Sequence, residues 1–214
     1  MSDSRVPFGV LISGGGTNLQ ALLDAAAHDD YPGRPVVVIS NRRDAGGLDR
    51  ARAAGVPACW LPHRGRPREE FDAELVTLLR EHGAQWVAMA GFMRIVTPVF
   101  LSAFRDRVLN IHPSLLPAFP GVRAQQQAHD YGVRIAGATI HFVSPEMDTG
   151  PIILQGATAV SPDDDAEALQ QRILRIEHQL YPRALALALR GQLRIEGRRV
   201  ILPPDEPGWR WLAD

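Results

Sequence analysis

Asn110 and His112 stand two residues apart, where the apolar pair Val108-Leu109 leads into a loop that contains Pro113 and Pro117. Residues two apart in an extended chain project to the same side, and proline cannot join a strand ladder. An amide beside an imidazole that changes charge near pH 7 suits the stabilisation of an oxyanion together with proton movement. The pattern indicates a buried strand that ends in an active site, although such a pair can also simply satisfy loop backbone.

Asp148 is a candidate acid in a loop between two extended segments, Ile135–Val143 and Ile152–Leu154. Loop aspartates commonly form turns, so this carboxylate has a structural and a catalytic interpretation. Because only a tight loop separates the two segments, we expect them to pair antiparallel.

A glycine turn, Gly14–Asn18, follows the apolar strand Val6–Ile12. After it, leucine and alanine recur at helical spacing at Leu19, Leu22, Leu23 and Ala26. A strand, a glycine turn and a helix form an anion site, because free N–H groups at the helix start point at the ligand. Thr17 or Asn18 is expected to cap the helix, and a plain tight turn is the alternative.

The turn fits a dinucleotide site poorly. Gly14 and Gly16 match the first half of the fingerprint, but Leu19 occupies the third glycine position. The second strand, Val36–Ile39, leads to Ser40-Asn41 rather than to an acid that would bind a ribose. The sequence therefore favours a phosphate monoester over NAD.

Composition narrows the class of protein. The chain has 214 residues, 45% hydrophobic and 22% charged, with a formal net charge of −1. This predicts one globular domain over residues 1–190, followed by a C-terminal hairpin and tail over 191–214. No charge excess points to nucleic acid, and no apolar run approaches the roughly 20 residues that span a bilayer. Since Cys59 is the single cysteine, we expect a cytoplasmic protein without disulfides.

Lysine is absent, because all 23 Lys+Arg residues are arginine. A Schiff-base lysine and a P-loop lysine are therefore both excluded.

The elements that must position these residues alternate between strand and helix as far as His112. Further strands are predicted near residues 56–61 and 86–90, and further helices over 46–54, from Phe71 to Gly83, and just after Pro98. This order predicts an α/β fold with a doubly wound, mostly parallel sheet and an antiparallel C-terminal part. The glycine turn, the segment Gly91–Ile95 and the Asn110–His112 pair would then meet at the carboxyl edge of the sheet.

The C-terminal third predicts helices, a hairpin and a tail. A helix is expected over 122–130, and a longer one starts near 161–163 with a buried stripe from Ala166 to Leu180. Pro182 is expected to kink or restart that helix. A hairpin over 193–201 follows, and then a terminal tail over 203–214 whose order the sequence leaves open.

These motifs together resemble the folate-dependent formyltransferases. Six segments carry the resemblance in order: Ile12–Gln20, Ala90–Ile95, Leu109–Pro117, Gly137–Phe142, Met147–Ile152 and Ile176–Pro182. The resemblance implies a Rossmann-like formyltransferase fold. It also implies transfer of the formyl group of 10-formyltetrahydrofolate, the cosubstrate, to the amine of glycinamide ribonucleotide in purine biosynthesis. The enzyme would need no metal, would bind these two small molecules, and would be a monomer or homodimer.

The same resemblance assigns roles to residues of this sequence. Asn110, His112 and Asp148 would be the catalytic trio. The phosphate of the ribonucleotide would lie on Gly16, Thr17 and Asn18, with Glu177 on its glycinamide or ribose. The residues that the resemblance assigns to folate are Arg68, Met93, Arg94, Ile95, Val96 and Asn110.

Some positions depart from the family pattern. Ala118 stands where a basic residue is frequent, and Arg123 and Gln125 lie near positions that usually carry histidine. Arg123 is therefore a candidate replacement for a lost phosphate contact.

Three other functions are alternatives to this transfer reaction, two of them enzymatic and one non-catalytic. A methionyl-tRNA formyltransferase would need an added tRNA-binding domain and a basic surface. A formyltetrahydrofolate hydrolase would carry an additional N-terminal domain but shares the trio. A non-catalytic nucleotide-binding module would use the glycine turn alone.

Overall fold

The computed structural model describes residues 4–161 and 163–212. Pro162, within the predicted start of the long helix, and the last two residues of the predicted tail lie outside the described residues. Within the described ranges, no helix has the length and apolar character needed to cross a membrane.

Strands and helices alternate over most of the chain. The strands are β1 (Val6–Ile12), β2 (Gly33–Ser40), β3 (Ala58–Trp60), β4 (Trp86–Met89), β5 (Val108–His112), β6 (Ile135–Phe142), β7 (Ile152–Ala159), β8 (Arg194–Glu196), β9 (Arg199–Ile201) and β10 (Trp209–Trp211). The helices are α1 (Thr17–Ala26), α2 (Gly47–Ala53), α3 (Arg68–Glu81), α4 (Pro98–Ala103), α5 (Ala124–Tyr131) and α6 (Ala166–Leu189).

These strands form one sheet in the order β3-β2-β1-β4-β5-β6-β7-β9-β8, with β10 also paired to β7. Strands β1 to β5 pair parallel, and β6 pairs antiparallel with both β5 and β7. The predicted fold class is therefore confirmed, including the antiparallel part.

Helices cover both faces of the sheet. Because side chains alternate along a strand, Val10 and Ile12 of β1 pack with α1, α2 and α6, whereas Leu11 packs with α3 and α4 on the other face. Burial on both faces explains why the parallel strands read as nearly continuous apolar runs.

The long helix α6 corrects two sequence predictions. It begins at Ala166 rather than near 161–163. The carboxylate of Asp165 caps this start by accepting from the N–H of Ala168 at 2.7 Å. It also continues through Pro182, so of the two predicted effects of that proline, a kink or a restart, the restart is wrong. A proline removes one backbone hydrogen bond, and the extensive burial of this helix, with Leu180, Tyr181 and Ala184 in the core, outweighs that loss.

The C-terminal segment contains a strand that the sequence does not predict. The hairpin of β8 and β9 forms as expected, and within the tail whose order was left open Trp209–Trp211 is strand β10, paired parallel with Gln155–Ala157. Such a three-residue strand is decided by its partner and has too little periodicity to be read from sequence.

Candidate active site

Three loops meet at the carboxyl edge of the sheet, as expected for a doubly wound fold. The glycine turn follows β1, residues 91–96 follow β4, and β5 ends at His112. Ser13 joins the first two loops, because its N–H donates to the Gly91 carbonyl at 3.1 Å and its hydroxyl accepts from the Met93 N–H at 2.8 Å.

The glycine turn contains a residue in the left-handed backbone conformation. Gly16 is the N-cap of α1, with φ 74° and ψ 36°, a conformation that L residues other than glycine rarely adopt. Among the described residues no side chain caps α1, so the expected cap by Thr17 or Asn18 is wrong. Because the N-cap residue is a glycine, it has no side chain that could accept from the first N–H groups of the helix. These N–H groups therefore stay available to an anion.

Asn18 instead reaches helix α6. Its amide Nδ2 donates to Oε2 of Glu177 at 2.5 Å. Glu177 is only 4% exposed, and burial raises the pKa of its carboxyl to about 7 against the lowering effect of the Asn18 hydrogen bond. A carboxyl whose charged form is disfavoured by burial therefore lies beside the glycine turn.

A cavity of about 450 Å³ opens at this edge of the sheet and is lined by Gly91 and Met93, the two residues that Ser13 holds. Met93–Val96 form one wall and residues 143–148 contribute to another, with Asn110 and His112 between them. The residues that the resemblance assigns to folate all line this cavity, apart from Arg68. Arg68 is not a lining residue, but its Nη2 donates to the carbonyl of Ile95, which is one.

His112 and Asp148 meet in this cavity. Nδ1 of His112 lies 3.4 Å from Oδ2 of Asp148, and Nε2 lies 2.8 Å from the Phe119 carbonyl oxygen. Both groups that face the ring are acceptors, so a doubly protonated imidazole donates to each. The side chains of His112 and Asp148 are 5% and 10% exposed, which strengthens their electrostatic interaction.

The backbone of Asp148 is held in an unusual conformation. Its φ is 55°, in the left-handed region that aspartate tolerates better than most residues. Its Oδ2 also accepts from the Gly121 N–H at 2.8 Å, which ties this loop to the loop after β5.

His141 is a site residue to which the sequence assigned no role. It lies directly opposite Asn110 in the pairing of β5 and β6, with its Nε2 3.2 Å from Nδ2 of Asn110. Its Nδ1 lies 2.8 Å from the Phe142 carbonyl, so Nδ1 donates and Nε2 accepts. Burial lowers the pKa of His141, which favours this neutral form. His141 therefore fixes which end of the Asn110 amide carries the N–H groups.

Two other predicted positions also have defined surroundings. The guanidinium of Arg94 lies over the Phe71 ring at 4.4 Å, and its Nη1 is 2.7 Å from Nδ1 of His63. Arg123 lines the cavity and is the N-cap of α5, with φ 57°. The structure therefore places Arg123 on the cavity that holds His112 and Asp148.

The sequence profile of the formyl transferase family matches residues 7–185 of this chain. The chain belongs to the formyl transferase family.

Its relatives define a narrower group. The chain is 40% identical over 204 residues to the phosphoribosylglycinamide formyltransferase of Escherichia coli (strain K12), covering 92% of this chain and 95% of that protein. It is 46% identical over 198 residues to the trifunctional purine biosynthetic protein adenosine-3 of Drosophila pseudoobscura pseudoobscura, covering 91% of this chain and 14% of that longer protein. Among solved structures, glycinamide ribonucleotide transformylase 1 from Symbiobacterium toebii matches with a TM-score of 0.91 and 52% identity, covering 94% of this chain and 95% of that one.

Proposed function

We propose that this chain transfers the formyl group of 10-formyltetrahydrofolate to the amine of glycinamide ribonucleotide, a step of purine biosynthesis. The observation that carries the proposal is the convergence of Asn110, His112 and Asp148 on one cavity, at the sheet edge that also carries the glycine turn. The names of the E. coli and Symbiobacterium relatives support the same reaction. All these residues come from one chain, so a monomer or each subunit of a homodimer would carry a complete site, and we expect it in the cytoplasm.

The cavity has the features needed for a folate. Backbone at Met93–Val96 offers hydrogen-bonding groups along one wall, and exposed apolar side chains such as Met93 and Met147 offer contact area for flat rings. We assign Arg68, which donates to the Ile95 carbonyl, to the glutamate end of the folate. We assign folate binding to residues of about 90–160.

The glycine turn suits the phosphate of the ribonucleotide. N–H groups of Gly16, Thr17 and Asn18 start helix α1, whose dipole also favours a negative group. We assign Glu177, held by Asn18, to the glycinamide or ribose of the substrate. We assign phosphate binding to the part of the chain up to about residue 100, with residues 191–214 outside both binding regions.

His112 and Asn110 would act on the formyl oxygen. When the substrate amine attacks the formyl carbon, negative charge develops on that oxygen. The Asn110 amide, oriented by His141, and the His112 Nε2–H are donors that would hold it, with the formyl oxygen in place of the Phe119 carbonyl. Loss of one such donor commonly slows turnover by about 10² to 10³-fold.

Asp148 would place a negative charge beside His112 and help to move the proton of the attacking amine. Its carboxylate places a negative charge 3.4 Å from Nδ1 and would accept a hydrogen bond from the ring while His112 holds the oxyanion. It also helps to remove the proton that the attacking nitrogen loses, directly or through water. As the carbon–N10 bond breaks, N10 of the folate takes up a proton, so the products are the formamide and tetrahydrofolate.

An assay with both products quantified tests this proposal. Purified protein is mixed with 10-formyltetrahydrofolate and glycinamide ribonucleotide, and tetrahydrofolate and the formylated ribonucleotide are measured together. We expect one formylated ribonucleotide for each tetrahydrofolate. Tetrahydrofolate with free formate would indicate the hydrolase, and ribonucleotide binding without either product, unchanged in an Asn110→Ala variant, would indicate a binding module.

A further inference from the structure

Helix α2 packs against the glycine turn. One main-chain and one side-chain hydrogen bond from α2 hold two consecutive carbonyl groups of the turn. The N–H of Gly47 donates to the Gly14 carbonyl at 3.1 Å. Nε of Arg50 donates to the Gly15 carbonyl at 2.8 Å, and its Nη1 lies 3.2 Å from Oε1 of Gln20.

These two bonds decide which way the peptides of the turn face. In a trans peptide the carbonyl and the following N–H point in opposite directions. Because the carbonyls of Gly14 and Gly15 face α2, the N–H groups of Gly15 and Gly16 face away from it. Neither N–H has a backbone partner among the described residues. A carbonyl turned the other way would present negative charge to an anion, and glycine peptides turn over more easily than others because they lack a Cβ.

Glycine on both sides makes the contact close. A Cβ on Gly16 would lie 2.7 Å from the Cα of Gly47, and a Cβ on Gly47 would lie 2.5 Å from Cδ1 of Ile12. The main chains of the turn and of α2 therefore touch directly, which allows the Gly47 N–H to reach the Gly14 carbonyl.

We propose that Arg50, with the Gly47 N–H, is a positioning residue for the substrate phosphate. It acts through the Gly15 carbonyl, holding the turn so that its N–H groups converge on the anion. This inference deepens the proposed function and rests on it for the identity of the phosphate. The proposal separates a geometric role of the Arg50 hydrogen bond from the general attraction of a positive charge.

Arg52 provides a matched control on the same helix. Its guanidinium pairs with Asp49 at 2.7 Å, and its side chain is 58% exposed. Arg50→Met and Arg52→Met remove the same charge from neighbouring positions, but only the first removes the bond to the turn.

The test is the dissociation constant of ribose 5-phosphate, measured by titration calorimetry on the full chain. We expect Arg50→Met to weaken binding roughly tenfold, the scale of one lost hydrogen bond that orders an anion site, and Arg52→Met to change it less than about twofold. In the transfer assay, Arg50→Met should raise the KM for the ribonucleotide by a similar factor, while its kcat and its KM for the folate stay within about twofold of the wild-type values.

A second variant keeps the proposal testable if Arg50→Met does not fold. Arg50→Lys retains the charge but moves the donor away from the Nε position, so we expect weakened binding here too. Wild-type affinity in Arg50→Lys, or equal weakening in Arg50→Met and Arg52→Met, would show that charge alone acts and would overturn the inference. Unchanged affinity in Arg50→Met would overturn it as well. A wild-type protein that binds ribose 5-phosphate but transfers no formyl group would instead contradict the proposed function, since the titration reads the turn without catalysis.

Discussion

The glycine turn and the cavity around His112 lie at the same edge of the sheet but are built from different parts of the chain. The turn presents main-chain N–H groups, and its left-handed residue is Gly16, which adopts φ 74° without steric penalty. The cavity presents side chains, and its rim includes Arg123 and Asp148, two residues other than glycine with φ near 55°. Such a conformation costs roughly 1–2 kcal/mol for a residue with a Cβ.

The difference follows from what each region must do. An anion is bound well by fixed backbone dipoles, so the turn needs no particular side chain at its centre. Proton transfer and oxyanion stabilisation need specific side chains in specific directions, and Asp148 is kept in place by its bond to the Gly121 N–H. We therefore expect turn variants to change binding and cavity variants to change turnover.

Helix α6 supports both regions. Glu177 bonds Asn18 of the turn. One helical turn later the Tyr181 hydroxyl lies 3.0 Å from the carbonyl of Met89, the last residue of β4, and 3.1 Å from the carbonyl of Leu109 in β5. A single buried helix thus fixes the distance between the phosphate turn and the strand that carries Asn110.

The largest effect is expected from Asp148→Asn. Asparagine keeps an acceptor for the Gly121 N–H but loses the negative charge beside His112, so kcat should fall by about 10³-fold while KM values change less than about threefold. Steady-state kinetics measures this. Asp106→Asn is the matched control, because Asp106 also has φ 55° but is exposed and lies outside the cavity. A comparable loss in both variants would point to the backbone conformation rather than to the carboxylate.

An intermediate effect is expected from Gly16→Ala. The new Cβ would combine a left-handed backbone with a 2.7 Å approach to the Cα of Gly47, so we expect a loss of about 2–4 kcal/mol in the free energy of unfolding. Denaturant titration measures it. In Gly55→Ala the backbone is similar, with φ 70°, but a Cβ meets no described heavy atom within 4 Å, so about 1 kcal/mol is expected. Equal losses would show that the contact with α2 has no energetic weight.

A third effect, spread over several pH units, is the pH dependence that Glu177 contributes to stability. Its pKa is raised to about 7 in the folded chain, so its contribution is complete below about pH 4.5 and is lost as the pH rises through about 7. The limiting slope is about 1.4 kcal/mol per pH unit within this window. Glu177→Gln keeps an acceptor for Asn18 and should remove that slope when unfolding is measured from pH 4 to 8. The exposed Glu81→Gln should leave it unchanged, and an unaltered slope in Glu177→Gln would refute the assignment.

Much of the fold could be predicted because its signals are local. Apolar runs, glycine turns and helical spacing give β1, α1 and β4 nearly to the residue. The start of α6, its passage through Pro182 and strand β10 could not be predicted, because burial and pairing with distant strands decide them.

The site residues likewise fall into those that a local motif reveals and those that depend on contacts between distant segments. The glycine turn and the Asn110–His112 spacing are visible in the sequence because each is a short continuous motif. His141 and Arg50 were missed because their roles depend on the register of β5 against β6 and on how α2 packs, neither of which a single sequence shows.

The central claim is that His112 acts in the transition state while the glycine turn binds the ribonucleotide. The most direct test compares kcat and the KM for glycinamide ribonucleotide in the wild-type chain and in His112→Ala. We predict that kcat falls at least 100-fold while this KM stays within about threefold, as expected when an interaction made only in the transition state is lost. A raised KM with an unchanged kcat would contradict the account, because His112 would then serve binding alone.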